Sequence, residues 1–226
     1  MGSCTAHAAV GLLEYNEKRA HGTFVDASRL FLYKAERDLL DFPGDTGAYL
    51  RTAMEALALF GAPPERYWPY DGNEAAYNRL FNEEPPAFCY AFGASYQALT
   101  YFRHDPVGAT APTILSNIKT HLAAGIPCMF GFPVYDEYVN PLPGGLVDYP
   151  SANSRYYGGH ANVIAGYDNN LVIGPSKGAL LIRNSWGTEW GAAGYAWLSY
   201  AYVETGLAND FWSMMTAKWM DTHNFG

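Results

Sequence analysis

Ile182-Arg183-Asn184-Ser185-Trp186-Gly187-Thr188-Glu189-Trp190-Gly191 is the run that decides how the rest of this 226-residue chain is understood. It closes a strand expected over residues 179–184 with an amide side chain and follows the amide with a large ring. An amide so placed can fix the orientation of an imidazole through one ring nitrogen. A neighbouring indole can cover that hydrogen bond from water, which strengthens it at low local dielectric. Working outward, Gly158-Gly159-His160-Ala161 puts a histidine at a loop-to-strand junction, with glycines that let a substrate backbone approach.

A nucleophile that such a pair would serve stands at the other end of the chain, in Gly2-Ser3-Cys4-Thr5-Ala6-His7-Ala8-Ala9. Small residues deliver Cys4 to a helix start, and Ala6, Ala9, Val10 and Leu13 recur at helical spacing. Glu14, Glu17, Lys18 and Arg19 are expected on the opposite, solvent side, acids before bases as the helix dipole prefers. Unpaired N–H groups at a helix start favour a thiolate, the form that attacks carbonyls. A lone cysteine in that place is more often a small buried residue. Cys, His and Asn together are instead the members of a thiol-nucleophile triad: the histidine holds the thiol proton and the amide orients the ring. His7, at i+3 from Cys4, reads as a packing or helix-surface residue. His21, His104, His121 and His223 show no metal-ligand spacing.

Composition bounds the alternatives. Hydrophobic residues make up 49% and charged ones 16%, as in a well-packed globular protein. The 18 Tyr, 12 Phe and 6 Trp suit clefts lined by rings, and a net charge of −8 with no basic run argues against a nucleic-acid partner. No run approaches the length of apolar residues that a membrane-spanning helix needs, and no signal peptide is evident. Cys89 and Cys128 lie in apolar surroundings and read as buried thiols rather than a disulfide framework.

Helices are expected over residues 28–38, with Ser28 as N-cap, and from Asp45-Thr46-Gly47 to Phe60, closed by Gly61 and Pro63-Pro64. A short helix is expected at 73–81 and another at 113–124. Strands follow at 96–103, 127–134, 161–167, 179–184 and 195–198, with a long surface loop at 140–159 and a turn at Asp168-Asn169-Asn170. Helices first and antiparallel strands later imply an α+β protein in two halves.

These segments together resemble the papain-like cysteine peptidases. The resemblance rests on Gly2-Ser3-Cys4, on Gly159-His160-Ala161 with Gly166-Tyr167-Asp168, and on Asn184 to Gly191 with Gly194-Tyr195 after it. Tyr67-Trp68-Pro69-Tyr70 looks like the family's aromatic-Pro-Tyr loop. It extends from Gly2 to about Val203, nearly the whole chain. Cys4 and His160 are further apart than the roughly 130–150 residues of the best-known members, and the 140–159 loop can hold the excess.

What the resemblance implies is a two-lobed papain-like α+β fold. A helical lobe, residues 1–95, would be followed by an antiparallel β-barrel-like lobe, 96–226, with the active-site cleft between them. It implies a peptidase acting on a peptide or protein substrate through a thioester acyl-enzyme. Cys4 would be the nucleophile, His160 the general base and acid, and Asn184 the orienting group. No metal or organic cofactor is expected. Gly47 and Ala48 align with the edge that pairs with the substrate backbone, Gly159 would offer its carbonyl, and Trp186 would lie on the leaving-group side. Rival readings are a weakened peptide-binding member and an acyl or peptidyl transferase on the same scaffold. Thr5 stands where the family usually has an aromatic. Some bacterial-type members share that threonine, and the lack of paired cysteines also points away from the secreted animal and plant branch. The family's oxyanion-hole glutamine lies upstream of its cysteine, so Met1 reads either as an internal start or as the boundary of a trimmed chain; loss of one oxyanion donor typically costs roughly 100–1000-fold in rate.

Overall fold

A computed structural model describes residues 1–71, 80–97 and 100–215. The helix expected at 73–81 and His223 therefore lie almost wholly outside the described residues. The chain divides into two compact units, Met1–Phe102 together with Met214–Gly226, and Arg103–Ser213.

In the first unit α1 spans Cys4–His21, where good helix formers such as Ala6, Ala8, Ala9, Leu12 and Leu13 outweigh the interior Gly11. Gly22 ends it in the left-handed conformation, φ 72°, and sends its N–H back to Lys18 O. Ala6, Ala9, Val10, Leu12 and Leu13 are buried, and so are Glu14 and Glu17. The expectation that these acids face solvent is thus corrected. Glu14 Oε1 accepts from Arg29 Nη2 at 2.9 Å and from Ala27 N at 3.3 Å, while Glu17 Oε2 accepts from Val25 N at 3.0 Å. Two buried carboxylates thereby satisfy the backbone that turns the chain into the next helix.

That helix, α2, spans Arg29–Leu39, and Ser28 caps it by accepting from Phe31 N. α3 spans Leu50–Phe60. It starts later than expected, because the Asp45 carboxylate accepts from Gly2 N and from the Tyr33 hydroxyl instead of capping a first turn. Gly61 closes α3 at φ 65°, where a Cβ would fall 2.0 Å from Gly93 O. No side chain fits there. Pro86 then leads into α4, Ala87–Gly93, which the Phe-Cys-Tyr run did not announce.

The strands are β1 (Thr100–Arg103), β2 (Cys128–Tyr135), β3 (Leu146–Val147), β4 (Tyr156–Ile173), β5 (Ser176–Arg183), β6 (Tyr195–Ser199) and β7 (Asn209–Met215). They form one seven-stranded sheet in the order β1-β7-β2-β4-β5-β6-β3. The sheet has two ends and is not closed into the expected barrel; its last pair, β3 with β6, is parallel. Within the second unit α5, Ala111–Ala123, carries Leu115 and Ile118 onto a core of Phe130, Phe132, Ile164, Leu180, Ile182, Leu198 and Phe211.

Two differences from the expected strands bear on the site. Residues 156–159, expected as loop, already belong to β4, with Gly158 opposite Val134 and Gly159 opposite Pro133. The expected turn at Asp168-Asn169-Asn170 is a bulge inside β4, where Asp168 Oδ1 accepts from Asn170 N at 2.7 Å and Leu171 N at 3.2 Å.

Candidate active site

Cys4 is the first residue of α1 and is half-buried, so its thiol sits at the positive end of the helix dipole. The turn before it is pinned from several sides. Ser3 Oγ lies 3.1 Å from Tyr70 Oη and 3.3 Å from His7 Nδ1, and Ser3 O lies 2.9 Å from the same nitrogen. A carbonyl only accepts, so His7 Nδ1 carries the proton and donates to Ser3 O. His7 therefore braces the helix start.

The residue after Cys4 points into the core. Thr5 Oγ1 donates to Glu36 Oε1 at 2.7 Å, and both residues are buried. Burial pushes the Glu36 carboxyl well above the usual range; the Thr5 bond and the Arg37 charge oppose it only in part. The balance favours the uncharged form of Glu36 over a wider pH range than for an exposed carboxyl.

Gly47 and Ala48, expected on the substrate edge, lie in the connection between α2 and α3. Gly47 has φ 79°, which disfavours any side chain, and its N–H donates to the Tyr33 hydroxyl at 3.2 Å.

The second unit holds the other expected residues together. His160 lies on β4 opposite Phe132, and Asn184 directly follows β5. His160 Nε2 lies 2.9 Å from Asn184 Oδ1. Ser185 N donates to the same Asn184 atom at 2.8 Å. A backbone N–H needs an acceptor, so that atom is the amide oxygen, and His160 must be protonated on Nε2 to donate to it.

The imidazole is walled by rings. Trp186 lies with its ring centroid 5.0 Å from that of His160, and Tyr138 at 5.7 Å. Buried Trp190 anchors this wall, its Nε1 donating to Tyr138 O at 3.1 Å. The 184–194 turn is closed by Asn184 N, which donates to Gly194 O at 2.9 Å. Gly191, at φ 60°, has space for no Cβ, which would stand 2.4 Å from Tyr195 O. A cavity of about 320 Å³ opens beside the ring, lined by Val134, Val139, Tyr157, Trp186 and the run Gly158-Gly159-His160.

Cys4, Cys89 and Cys128 form no disulfide, and burial pushes the Cys128 thiol far up. Among the described residues, no group of three or more His, Cys, Asp or Glu side chains could hold a metal ion. No helix among them is long and apolar enough to cross a membrane.

A family model described as papain family cysteine protease matches residues 1–215. The chain belongs to the papain family. Among its curated relatives, an uncharacterised peptidase C1-like protein of Acanthamoeba polyphaga mimivirus is 32% identical over 219 residues, which is 94% of this chain and 66% of that protein. Cathepsin J of Mus musculus is 26% identical over 198 residues, 86% of this chain and 53% of its own length. The chain thus spans less than two thirds of these relatives. Among solved structures, xylellain, a cysteine protease from Xylella fastidiosa, superposes with a TM-score of 0.80 at 31% identity, covering 96% of this chain and 80% of its own. A cysteine protease of Carica candamarcensis shares the fold at 20% identity and a TM-score of 0.63, over 95% of this chain and 89% of its own.

Within this papain-family framework several residues around the candidate site carried no sequence signal. Tyr138 sits in a single helical turn, Asp136–Val139, between the expected strand at 127–134 and the expected loop at 140–159. Glu36 and Tyr33 look like ordinary positions of an amphipathic helix. Only the buried acid beside a buried threonine sets them apart, and burial is a tertiary property.

Proposed function

We propose that the chain is a cysteine-type peptidase in which Cys4 is the nucleophile, His160 the general base and acid, and Asn184 the orienting group. The observation that carries this reading is the His160 Nε2–H to Asn184 Oδ1 hydrogen bond, with the amide oxygen identified by Ser185 N. It commits one ring nitrogen as donor and leaves Nδ1 to take and return a proton. Family membership supplies the expected partner, a cysteine at a helix start, and xylellain is itself named a cysteine protease.

The thiol proton passes to His160 Nδ1, and Cys4 Sγ attacks the peptide carbonyl carbon. The oxyanion gains from the N–H groups at the start of α1. Collapse breaks the C–N bond, and His160 Nδ1–H protonates the leaving amine, giving a thioester. Water, deprotonated by His160, then releases the acid and restores the thiol. Gly47, Ala48 and Gly159 would hold the substrate backbone, and Trp186 would flank the leaving side.

Treatment with a thiol-directed peptidyl epoxide should add one equivalent at Cys4 and abolish peptide cleavage. Cys4→Ala should lose both the adduct and the cleavage. An adduct of equal stoichiometry in Cys4→Ala would overturn the nucleophile assignment, and wild-type turnover in His160→Ala would overturn that of the base.

A further inference from the structure

We propose that Tyr33 and Asp45 are positioning residues that lock the segment leading into Cys4 to the glycine edge at Gly47. The proposal rests on Cys4 being the nucleophile and Gly47 bordering the substrate. Gly2, two residues before Cys4, donates its backbone N–H to Asp45 Oδ1 at 2.7 Å. The Tyr33 hydroxyl donates to that same oxygen at 2.5 Å. Its lone pair then accepts from Gly47 N at 3.2 Å. One continuous chain of hydrogen bonds therefore runs from the edge glycine, through a phenol and a carboxylate, to the backbone before the nucleophile.

Two further features make this a clamp. The backbones of Gly2 and Gly47 are in close approach: a Cβ on Gly2 would lie 3.0 Å from Gly47 N and 3.2 Å from Gly47 Cα. The loop is also held one helical turn further along α2, where Arg37 Nε donates to Gly44 O at 2.8 Å. Tyr33 and Arg37 share one face of α2, both buried. Burial, and after it the Asp45 carboxylate, raises the Tyr33 phenol far above its ordinary value, so the hydroxyl remains a donor. Asp45 itself is on an exposed loop.

The consequence is geometric. A scissile carbonyl held on the Gly47 edge meets Cys4 in line only if the edge and the helix start keep a constant separation. A misplacement of about 1 Å can cost on the order of 100-fold in rate. The thiol's own ionisation does not depend on that separation.

The test compares two reagents on wild type, Tyr33→Phe, Asp45→Ala and Asp45→Asn, well below each variant's melting temperature. Iodoacetamide reports the Cys4 thiolate alone, and a peptidyl epoxide requires the edge as well. Tyr33→Phe and Asp45→Ala should slow epoxide labelling and kcat roughly 10–100-fold, with the alkylation rate and its pH profile within about twofold of wild type. Asp45→Asn, which keeps the Oδ1 acceptor, should recover most of the loss. Equal slowing of both reagents, or no slowing of either, overturns the proposal. Wild-type protein that cleaves peptides with Cys4 unlabelled by the epoxide overturns the nucleophile assignment, and this proposal with it.

Discussion

His104 is the group through which acid should loosen the second unit. It is 2% exposed, and its Nε2 lies 2.7 Å from Ser213 Oγ. Ser213 Oγ also donates its proton to Pro127 O at 2.7 Å, so in the neutral state His104 is the Nε2–H donor. Burial depresses its pKa to about 4, His121 at 4.7 Å adds to the depression, and only the Asp105 carboxylate opposes them. An unfolded histidine titrates near 6.5. Between those two values the unfolded chain binds the proton and the folded chain refuses it. Stability from this group is therefore fully present above about pH 6.5 and is lost as pH falls towards about 4. At about 1.4 kcal/mol for each pH unit, the loss comes to about 3 kcal/mol. His104→Gln keeps an amide N–H for Ser213 and cannot charge. Urea unfolding followed by tryptophan fluorescence at pH 7 and pH 4 should show a drop about 3 kcal/mol smaller in His104→Gln than in wild type. Equal drops in the two proteins would show that His104 is not the acid-sensitive group.

Asn184→Ala removes the acceptor of a hydrogen bond to an imidazole that becomes charged in the proposed reaction. Such bonds contribute about 1.5–3 kcal/mol, so peptide turnover should fall roughly 10–150-fold with near-native stability, measured by steady-state kinetics beside a thermal melt. For Glu36 the sign is opposite to that of His104. Its raised pKa means that stability is complete below the unfolded carboxyl's pKa and declines as pH rises towards the folded value. Glu36→Gln keeps the acceptor for Thr5, and its stability advantage over wild type should grow from pH 4 to pH 7 in the same urea assay. An advantage that shrinks with pH would mean that Glu36 is charged in the folded protein.

Short-range rules located much of this. Ser28 caps α2 and Gly61 ends α3 where the residues said they would, because a cap is decided by the few atoms around it. The strand that leads into Asn184 and the histidine preceded by two glycines were equally legible. Misreadings arose where distant partners intervene. Glu14 and Glu17 look solvent-facing until the 25–29 segment arrives to use them. Asp45 looks like a helix opener until Tyr33 and Gly2 claim its oxygen. In β7, residues 211–214 are all buried, which erases the alternation that would have marked a strand. An open sheet with a parallel last pair was likewise invisible, since strand order depends on which edges meet.

By itself, the sequence determined the kind of chemistry on offer: a thiol at a helix start, an imidazole after two glycines, and an amide followed by an indole. Those are choices of residue type at local positions, and local backbone geometry is written in a few neighbouring residues. Only the tertiary structure decided which nitrogen of His160 faces Asn184, that Glu36 is a buried acid bonded to Thr5, and that Gly2 and Gly47 share one tether through Asp45 and Tyr33. Each of those depends on removing water from groups far apart in the chain, and no local pattern of residues records which groups will lose it together.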